Sequence, residues 1–137
     1  MHGLGNDFAI FDARSQKIDF TPEQIRALAD RKRGIGWDQL IVLSAPKSDK
    51  SDIYMKIYNI DGSEAEGCGN ATRCVASILM KEFKKTKIVI ETIVDFLVCA
   101  ADGDKVRVDM GAVKSEWNQI PLSLSEDTLS VNLELET

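Results

Sequence analysis

A cysteine flanked by glycines, Gly67-Cys68-Gly69, stands directly before an apolar helical pattern in this chain. A cysteine acts as a base or nucleophile only as its thiolate, so the surrounding protein must favour the anion. A helix N-terminus does so, because its first-turn amides have no partners within the helix and its dipole places about half a positive charge there. Because glycines lack a Cβ, a ligand's α-carbon and carboxylate can approach the sulfur and the amides closely. These residues suit a basic thiol beside a bound amino-acid carboxylate.

Burial in the core is the alternative role for each cysteine, since cysteine is among the most frequently buried residue types. Cys74 lies in the apolar stripe of the helical pattern and Cys99 in a strand pattern, so we predict that both are core residues. For Cys68 the residues alone leave both roles open. The cysteines form no CxxC or metal-type spacing with the single histidine, His2, so we expect free thiols and no metal site.

Length, composition and charge restrict the classes of function. With 137 residues and 44% apolar content, the chain has the size of one domain with one core. Its net charge of −5 argues against nonspecific nucleic-acid binding, which needs clustered Lys and Arg. No apolar run approaches the roughly 20 residues that cross a bilayer, and the first residues lack a signal-peptide pattern. We therefore expect a cytoplasmic protein without nucleic-acid or membrane partners.

Two helices are predicted. The first runs from Pro22 to about Arg33, with Thr21 and Gln24 as a capping box and Gly34 as a left-handed end. The basic residues that follow it complement the negative end of the helix dipole. The second helix begins at or just after Cys68 and ends near position 84. Its apolar residues fall on one broad face, at positions 71, 74, 75, 78, 79 and 83.

Seven further segments have strand patterns. They cover positions 8–12, 39–43, 53–58, 87–92, 96–100, 105–110 and 129–135. Asp102-Gly103-Asp104 is typical of a hairpin turn. Seven strands with two helices in this order do not form a run of βαβ units. We therefore predict an α+β fold with a mainly antiparallel sheet that wraps the second, unusually apolar helix.

Three separated runs, HGLGNDF at 2–8, GWDQL at 36–40 and DGSEAEGCGN at 61–70, together resemble diaminopimelate epimerase, a pyridoxal-free isomerase family. The resemblance runs in order from Met1 to about Met110. It implies a two-domain enzyme without a cofactor, in which each domain is a sheet curled around a central helix and the active site lies between the domains. Residues 1–137 would be the N-terminal domain, and the missing C-terminal domain would be its partner.

The resemblance also implies a reaction and its residues. The family interconverts LL- and meso-2,6-diaminopimelate, in lysine and peptidoglycan-precursor synthesis, with one catalytic cysteine on each face of the α-carbon. Cys68 matches the cysteine of the first domain. The matched substrate-binding residues are Asn6, Gln39, Asn59, Gly69 and Asn70. From the residues alone, each asparagine is also compatible with a turn that bonds its own backbone, and Gln39 with a solvated strand position.

The chain departs from the family pattern in several ways. It has no second cysteine of the required type and none of the second-domain residues that bind the distal end of the substrate. We therefore expect half of a catalytic site, inactive alone. A short strand that usually precedes the first motif is missing. Ala71 stands where glycine is common, and Val94-Asp95 replaces a more usual Ala-Gly pair.

Two other functions remain open. In the first, the chain is complete and forms a head-to-head homodimer, in which Cys68 of each copy serves one face of the substrate, since homodimers favour two-fold contacts. Such a site lacks an asymmetric distal pocket. In the second, the chain is a binding module that keeps the fold without the reaction, and its ligand binding survives alkylation of Cys68.

Overall fold

A computed structural model of the chain describes residues 1–120, 122–125 and 127–131. Its elements in chain order are β1 (His2–Gly3), β2 (Asn6–Asp12), α1 (Pro22–Ala29), β3 (Gln39–Ser44), β4 (Ile53–Asn59), β5 (Glu64–Ala65), α2 (Gly69–Phe83), β6 (Lys87–Glu91), β7 (Phe96–Asp102) and β8 (Lys105–Val108). A short 3₁₀ helix, Trp117–Gln119, follows them. Neither α-helix in the described part of the chain has the length and apolar character needed to cross a bilayer.

The strands form one mixed sheet in the order β1-β2-β3-β4-β6-β7-β8, with β5 paired to β4. Strand β2 runs parallel to β3, and β4 runs parallel to β6. The other neighbouring pairs in the described residues are antiparallel. The sheet curls into a half-barrel around α2, which contacts β1, β6, β7 and β8. The predicted α+β fold, with a mainly antiparallel sheet curled around a central helix, is confirmed.

Strand β3 separates two apolar clusters, one on each face of the sheet. Ile41 and Leu43 pack with the buried face of α2. Leu40 and Val42 pack with Ile25 of α1 on the opposite face. Because successive strand residues point to opposite faces, the unbroken apolar run of β3 reflects burial on both sides. The helix that carries the cysteine therefore packs on one face of the sheet, and α1 covers the other face at β3.

Helix α1 begins as predicted but ends early. Its capping box is present, with both reciprocal hydrogen bonds. The helix ends at Ala29 instead of Arg33, because Asp30 Oδ1 accepts hydrogen bonds from the amides two and three residues later. Such a local side-chain turn competes with helical hydrogen bonding. The left-handed backbone predicted at Gly34 occurs instead at Gly36, where φ is +77°.

Helix α2 begins and ends where the sequence predicts. It spans Gly69–Phe83, and Lys84 caps its C-terminus in a left-handed conformation with φ of 53°. Most of the predicted apolar face is buried, but Ile78 is 38% exposed. Ala76, which lies outside the predicted stripe, is buried in its place. The helix is thus enclosed on a wider and slightly rotated face than the apolar periodicity indicates.

Six of the seven predicted strands are present, with small shifts at their ends. The hairpin at Gly103-Asp104 is present between β7 and β8. The predicted strand at 129–135 is wrong at its start, because Leu129 and Ser130 lie in a turn in which the Ser130 amide donates to the carbonyl of Asp127 at 3.0 Å. Its positions 132–135 lie outside the described residues. The two-residue strands β1 and β5 are too short to produce an alternating pattern.

Candidate active site

Cys68 is the N-cap residue of α2 and is half-buried. Its backbone is extended, with φ of −152° and ψ of 104°. The sulfur accepts a hydrogen bond from the amide of Ala71 at an N–S distance of 3.5 Å. The carbonyl of Cys68 accepts from both the amide and the hydroxyl of Thr72, each at 2.9 Å. The Cys68 sulfur therefore takes the place of the side-chain oxygen that usually caps a helix N-terminus. It stays at the surface of the helix head.

Asn6 supplies a second donor to this sulfur. Its side-chain Nδ2 lies 3.7 Å from Cys68 Sγ, and the residue is half-buried. A two-residue turn makes the contact possible: Leu4 and Gly5 both have positive φ, of 56° and 87°, and Gly3 then pairs with Asn6. This turn folds the start of β2 back towards α2. Two hydrogen-bond donors from separate elements therefore converge on one sulfur.

Gln39 and Asn59 form a separate polar pair. They lie directly opposite one another where β3 begins and β4 ends. Gln39 Nε2 donates to Asn59 Oδ1 at 3.1 Å, and Asn59 Nδ2 donates to Ser63 Oγ at 3.1 Å. Gln39 Oε1 is buried without a hydrogen-bond partner among the described residues. The structure thus brings Asn6 to Cys68 and Gln39 to Asn59, and no hydrogen bond in the described part of the chain joins the two pairs.

Arg73 contacts the first turn of α2 and was not predicted as a site residue. Its guanidinium donates to Asn70 Oδ1. Because that oxygen is engaged, the amide nitrogen of Asn70 is the group available to a ligand. The spacing of three residues on one helix face is the signal that sequence analysis could have used.

The glycines beside Cys68 are not required by the packing of this chain. A Cβ built on Gly67 meets no described atom within 4 Å, and one built on Gly69 meets Met110 Sδ at 3.7 Å, an ordinary contact. Neither glycine has a positive φ. The fold of the described residues would therefore accept alanine at both positions, and the space at Gly67 is open.

The other two thiols are in a different environment. Both Cys74 and Cys99 are buried, as predicted. Burial raises the pKa of the Cys74 thiol and raises the pKa of Cys99 to about 11. Both sulfurs are therefore neutral at neutral pH. Within the described residues, no group of three potential ligand side chains is placed to hold a metal ion.

Two of the departures from the family pattern, Ala71 and Val94-Asp95, fit the fold. Ala71 is fully buried in the core beneath the helix head. Val94 and Asp95 lie in the turn between β6 and β7, where their amides donate to Thr92 Oγ1 at 3.4 and 3.1 Å. Asp95 Oδ1 also accepts from the amide of Phe96 at 2.7 Å. The turn that contains Val94-Asp95 in place of the Ala-Gly pair is thus stabilised by its own hydrogen bonds.

Solved structures share this fold at low sequence identity. A methylitaconate-delta-isomerase superposes with a TM-score of 0.51 and 13% identity, over 88% of this chain and 68% of the other. A PhzF-family phenazine biosynthesis protein from Enterococcus faecalis superposes with a TM-score of 0.51 and 19% identity, over 78% of this chain and 41% of the other. At such identities the likeness concerns the fold alone.

Sequence comparisons are more specific. A family model for diaminopimelate epimerase matches residues 1–116. A diaminopimelate epimerase from Rhodospirillum centenum is 47% identical over 133 residues, which cover 96% of this chain and 45% of that protein. One from Acidiphilium cryptum is 45% identical over 136 residues, which cover 98% of this chain and 48% of that protein. The chain spans about half the length of these relatives, and it belongs to the diaminopimelate epimerase family.

Proposed function

We propose that this chain is the N-terminal domain of a two-domain epimerase that interconverts LL- and meso-2,6-diaminopimelate, and that Cys68 is one of its two acid-base groups. The observation that carries the proposal is the position of the Cys68 sulfur at the N-terminus of α2, half-buried and within reach of donors from Ala71 and Asn6. The names of the relatives and their twofold greater length support it. The reduced thiols are consistent with a cytoplasmic location.

The chemistry requires two groups on opposite faces of one carbon. The Cys68 thiolate takes the α-proton, and the electron pair of the C–H bond moves towards the carboxylate; in the reverse direction the Cys68 thiol returns a proton. A thiol of the second domain acts on the opposite face in the opposite sense: it delivers a proton to the α-carbon when the Cys68 thiolate takes one, and as a thiolate it takes the proton when the Cys68 thiol delivers one. No imine cofactor takes part, so the negative charge that develops on the carboxylate must be stabilised by hydrogen-bond donors.

The head of α2 has donors suited to this task. The backbone amides of Gly69 and Asn70 make no hydrogen bond with the described residues, and the side-chain nitrogen of Asn70 is directed by Arg73. Together with the positive end of the helix dipole, these groups form an anion site beside the sulfur. The substrate's other polar groups would contact Asn6, Gln39 and Asn59. The open space at Gly67 would admit the α-carbon.

The test is a fusion of this chain to the second half of the Rhodospirillum centenum relative, incubated with LL-diaminopimelate in deuterated water. We expect α-deuteration by NMR and meso product by chiral chromatography from the fusion, and no meso product from the chain alone. Cys68→Ala should lower the fusion's kcat by about 10²-fold or more, because it removes an acid-base group. Cys74→Ala is the matched control, which should chiefly lower stability.

Specific results would contradict the proposal. A Cys68→Ala fusion as active as the parent would exclude the thiol as an acid-base group. Meso product from the chain alone, at a rate that rises with the square of its concentration, would instead support the homodimer.

A further inference from the structure

An ion-pair cluster of Asp7, Arg31 and Asp38 joins three segments at the beginning of β2 and β3. Arg31 donates to both carboxylate oxygens of Asp7, at 2.7 and 3.0 Å, and to Asp38 Oδ1 at 2.8 Å. The two carboxylates also accept hydrogen bonds from each other's backbone amides, both at 2.9 Å. Arg31 lies just beyond the end of α1, and its guanidinium pairs with these two carboxylates.

Each carboxylate of this cluster is the chain neighbour of a candidate substrate-binding residue. Asp7 follows Asn6 directly, and Asp38 precedes Gln39 directly. Strands β2 and β3 are parallel, and their register begins with Phe8 opposite Gln39. The cluster therefore fixes the two strand starts relative to one another at the point where both polar side chains emerge.

Arg31 is the cation that makes this arrangement possible. Without it, the Asp7 and Asp38 carboxylates would face one another across the strand pair and repel. The Arg31 guanidinium holds the pKa of Asp7 well below its usual range. A planar fork with several donors can serve both carboxylates at once, which the point charge of lysine does less well.

We propose that Arg31 is a positioning residue, which through Asp7 and Asp38 sets the orientation of Asn6 against the Cys68 sulfur and of Gln39 against Asn59. The inference rests on the proposed function for the role of Asn6 and Gln39 in binding substrate. Arg31 itself touches neither Cys68 nor the candidate binding residues within the described contacts.

The experiment compares Arg31→Gln with Arg14→Gln in the present chain. Arg14 is a matched control because it forms an equally branched cluster with Asp12 and Glu82 at the other end of β2. The readouts are the rate of Cys68 alkylation by iodoacetamide between pH 6 and pH 9, by peptide mass spectrometry, and the side-chain amide NMR signals of Asn6 and Gln39. We expect Arg31→Gln to slow alkylation at neutral pH by about threefold to tenfold, because a donor to the thiolate is displaced.

Arg14→Gln should leave the alkylation rate and both amide signals unchanged, even if it lowers the melting temperature as much as Arg31→Gln does. Arg31→Lys keeps the positive charge but lacks the planar guanidinium. Its Cys68 alkylation rate should lie between those of the parent and Arg31→Gln, and it supplies the comparison if Arg31→Gln does not fold. An unchanged or faster rate in the Arg31 variants, or the same slowing in Arg14→Gln, would overturn the inference. Failure of the fusion to epimerise would reject the proposed function and leave this comparison intact.

Discussion

At the scale of the residue, Gly62 and Gly69 differ in what the fold requires of them. Gly62 has a φ of +91°, and a Cβ there would lie 2.6 Å from the Cα of Pro22. Gly69 has neither constraint. We expect Gly62→Ala to lower the free energy of unfolding by about 1–3 kcal/mol, because it combines backbone strain with a clash. Gly69→Ala should leave it unchanged or raise it by about 0.5 kcal/mol, since alanine is the better helix former. Urea denaturation of both variants measures these changes.

The effect of Gly69→Ala on catalysis should differ from its effect on stability. In the fusion, Gly69→Ala should reduce kcat/KM although the protein is as stable as the parent, because the added methyl group occupies the approach to the sulfur and the helix amides. A Gly69→Ala fusion with parental kcat/KM would show that this space is not used by substrate. Such a result would weaken the proposed site without affecting the assignment of the fold.

The position of Cys68 at the head of α2 was predictable because two local signals coincide there, the flanking glycines and the beginning of the apolar period of α2. Its role was not, and follows only from the resemblance to the family. The ion pairs of Arg31 were not predictable either, because its charge was interpreted from its neighbours in the chain. The partners of Arg31 lie 24 and 7 residues away and meet it only through the strand pairing. Long-range ion pairs of this kind leave no periodic signal in one sequence.

At the scale of the element, the β1–β2 turn has an unfavourable residue. Leu4 adopts a φ of 56° and is 91% exposed, so its side chain gains little from packing. A non-glycine residue in the left-handed region costs about 1–2 kcal/mol, and asparagine tolerates it best. Asn-Gly is also the preferred pair for a two-residue hairpin with positive φ at both positions. Leu4→Asn should therefore raise the free energy of unfolding by about 1 kcal/mol, measured by urea denaturation.

Leu4→Val is the control for this turn. A β-branched residue is disfavoured at positive φ, so it should lower stability although it is also apolar. Equal stability of the two variants would contradict the assignment of the turn. The beginning of α1 and both ends of α2 were predictable because caps are local. The end of α1 was not, because the side-chain turn at Asp30 was not recognised.

At the scale of the whole molecule, the candidate residues lie where elements begin or end, and the curled sheet holds Asn6 against Cys68 and Gln39 against Asn59. Cys68 caps α2, Asn6 and Gln39 begin strands, and Asn59 ends one. All four are half-buried, so they belong neither to the core nor to fully solvated loops. The elements are predictable from the periodicity of the chain, but the mixed order of strands depends on non-local pairing. The meeting of Asn6 with Cys68, 62 residues apart, follows from that order.

We expect the stability of the molecule to depend on pH in the acidic range, because many of its carboxylates form ion pairs and hydrogen bonds. Every carboxyl group with a shifted pKa in the described residues has it lowered: Asp7, Asp12, Asp19, Glu23, Asp52 and Asp61. For Asp12 the hydrogen bonds from Arg14 lower the pKa from 3.8 to about 2. In the unfolded chain these groups take up protons at higher pH than in the folded one. Their contribution to folding is therefore complete above about pH 5 and is lost as the pH falls towards 2.

We accordingly expect the melting temperature to fall by several degrees between pH 6 and pH 2.5, because the carboxylates lose their ion pairs and hydrogen bonds as they take up protons. The loss should be gradual, because most of these groups are exposed and each contributes little. Calorimetry of the parent and of Asp12→Asn separates the contribution of one pair. The variant should begin with a lower melting temperature at pH 6 and lose less of it on acidification. A melting temperature that is constant or rises down to pH 2.5 would mean that these carboxylates are no better stabilised in the folded protein than in the unfolded chain.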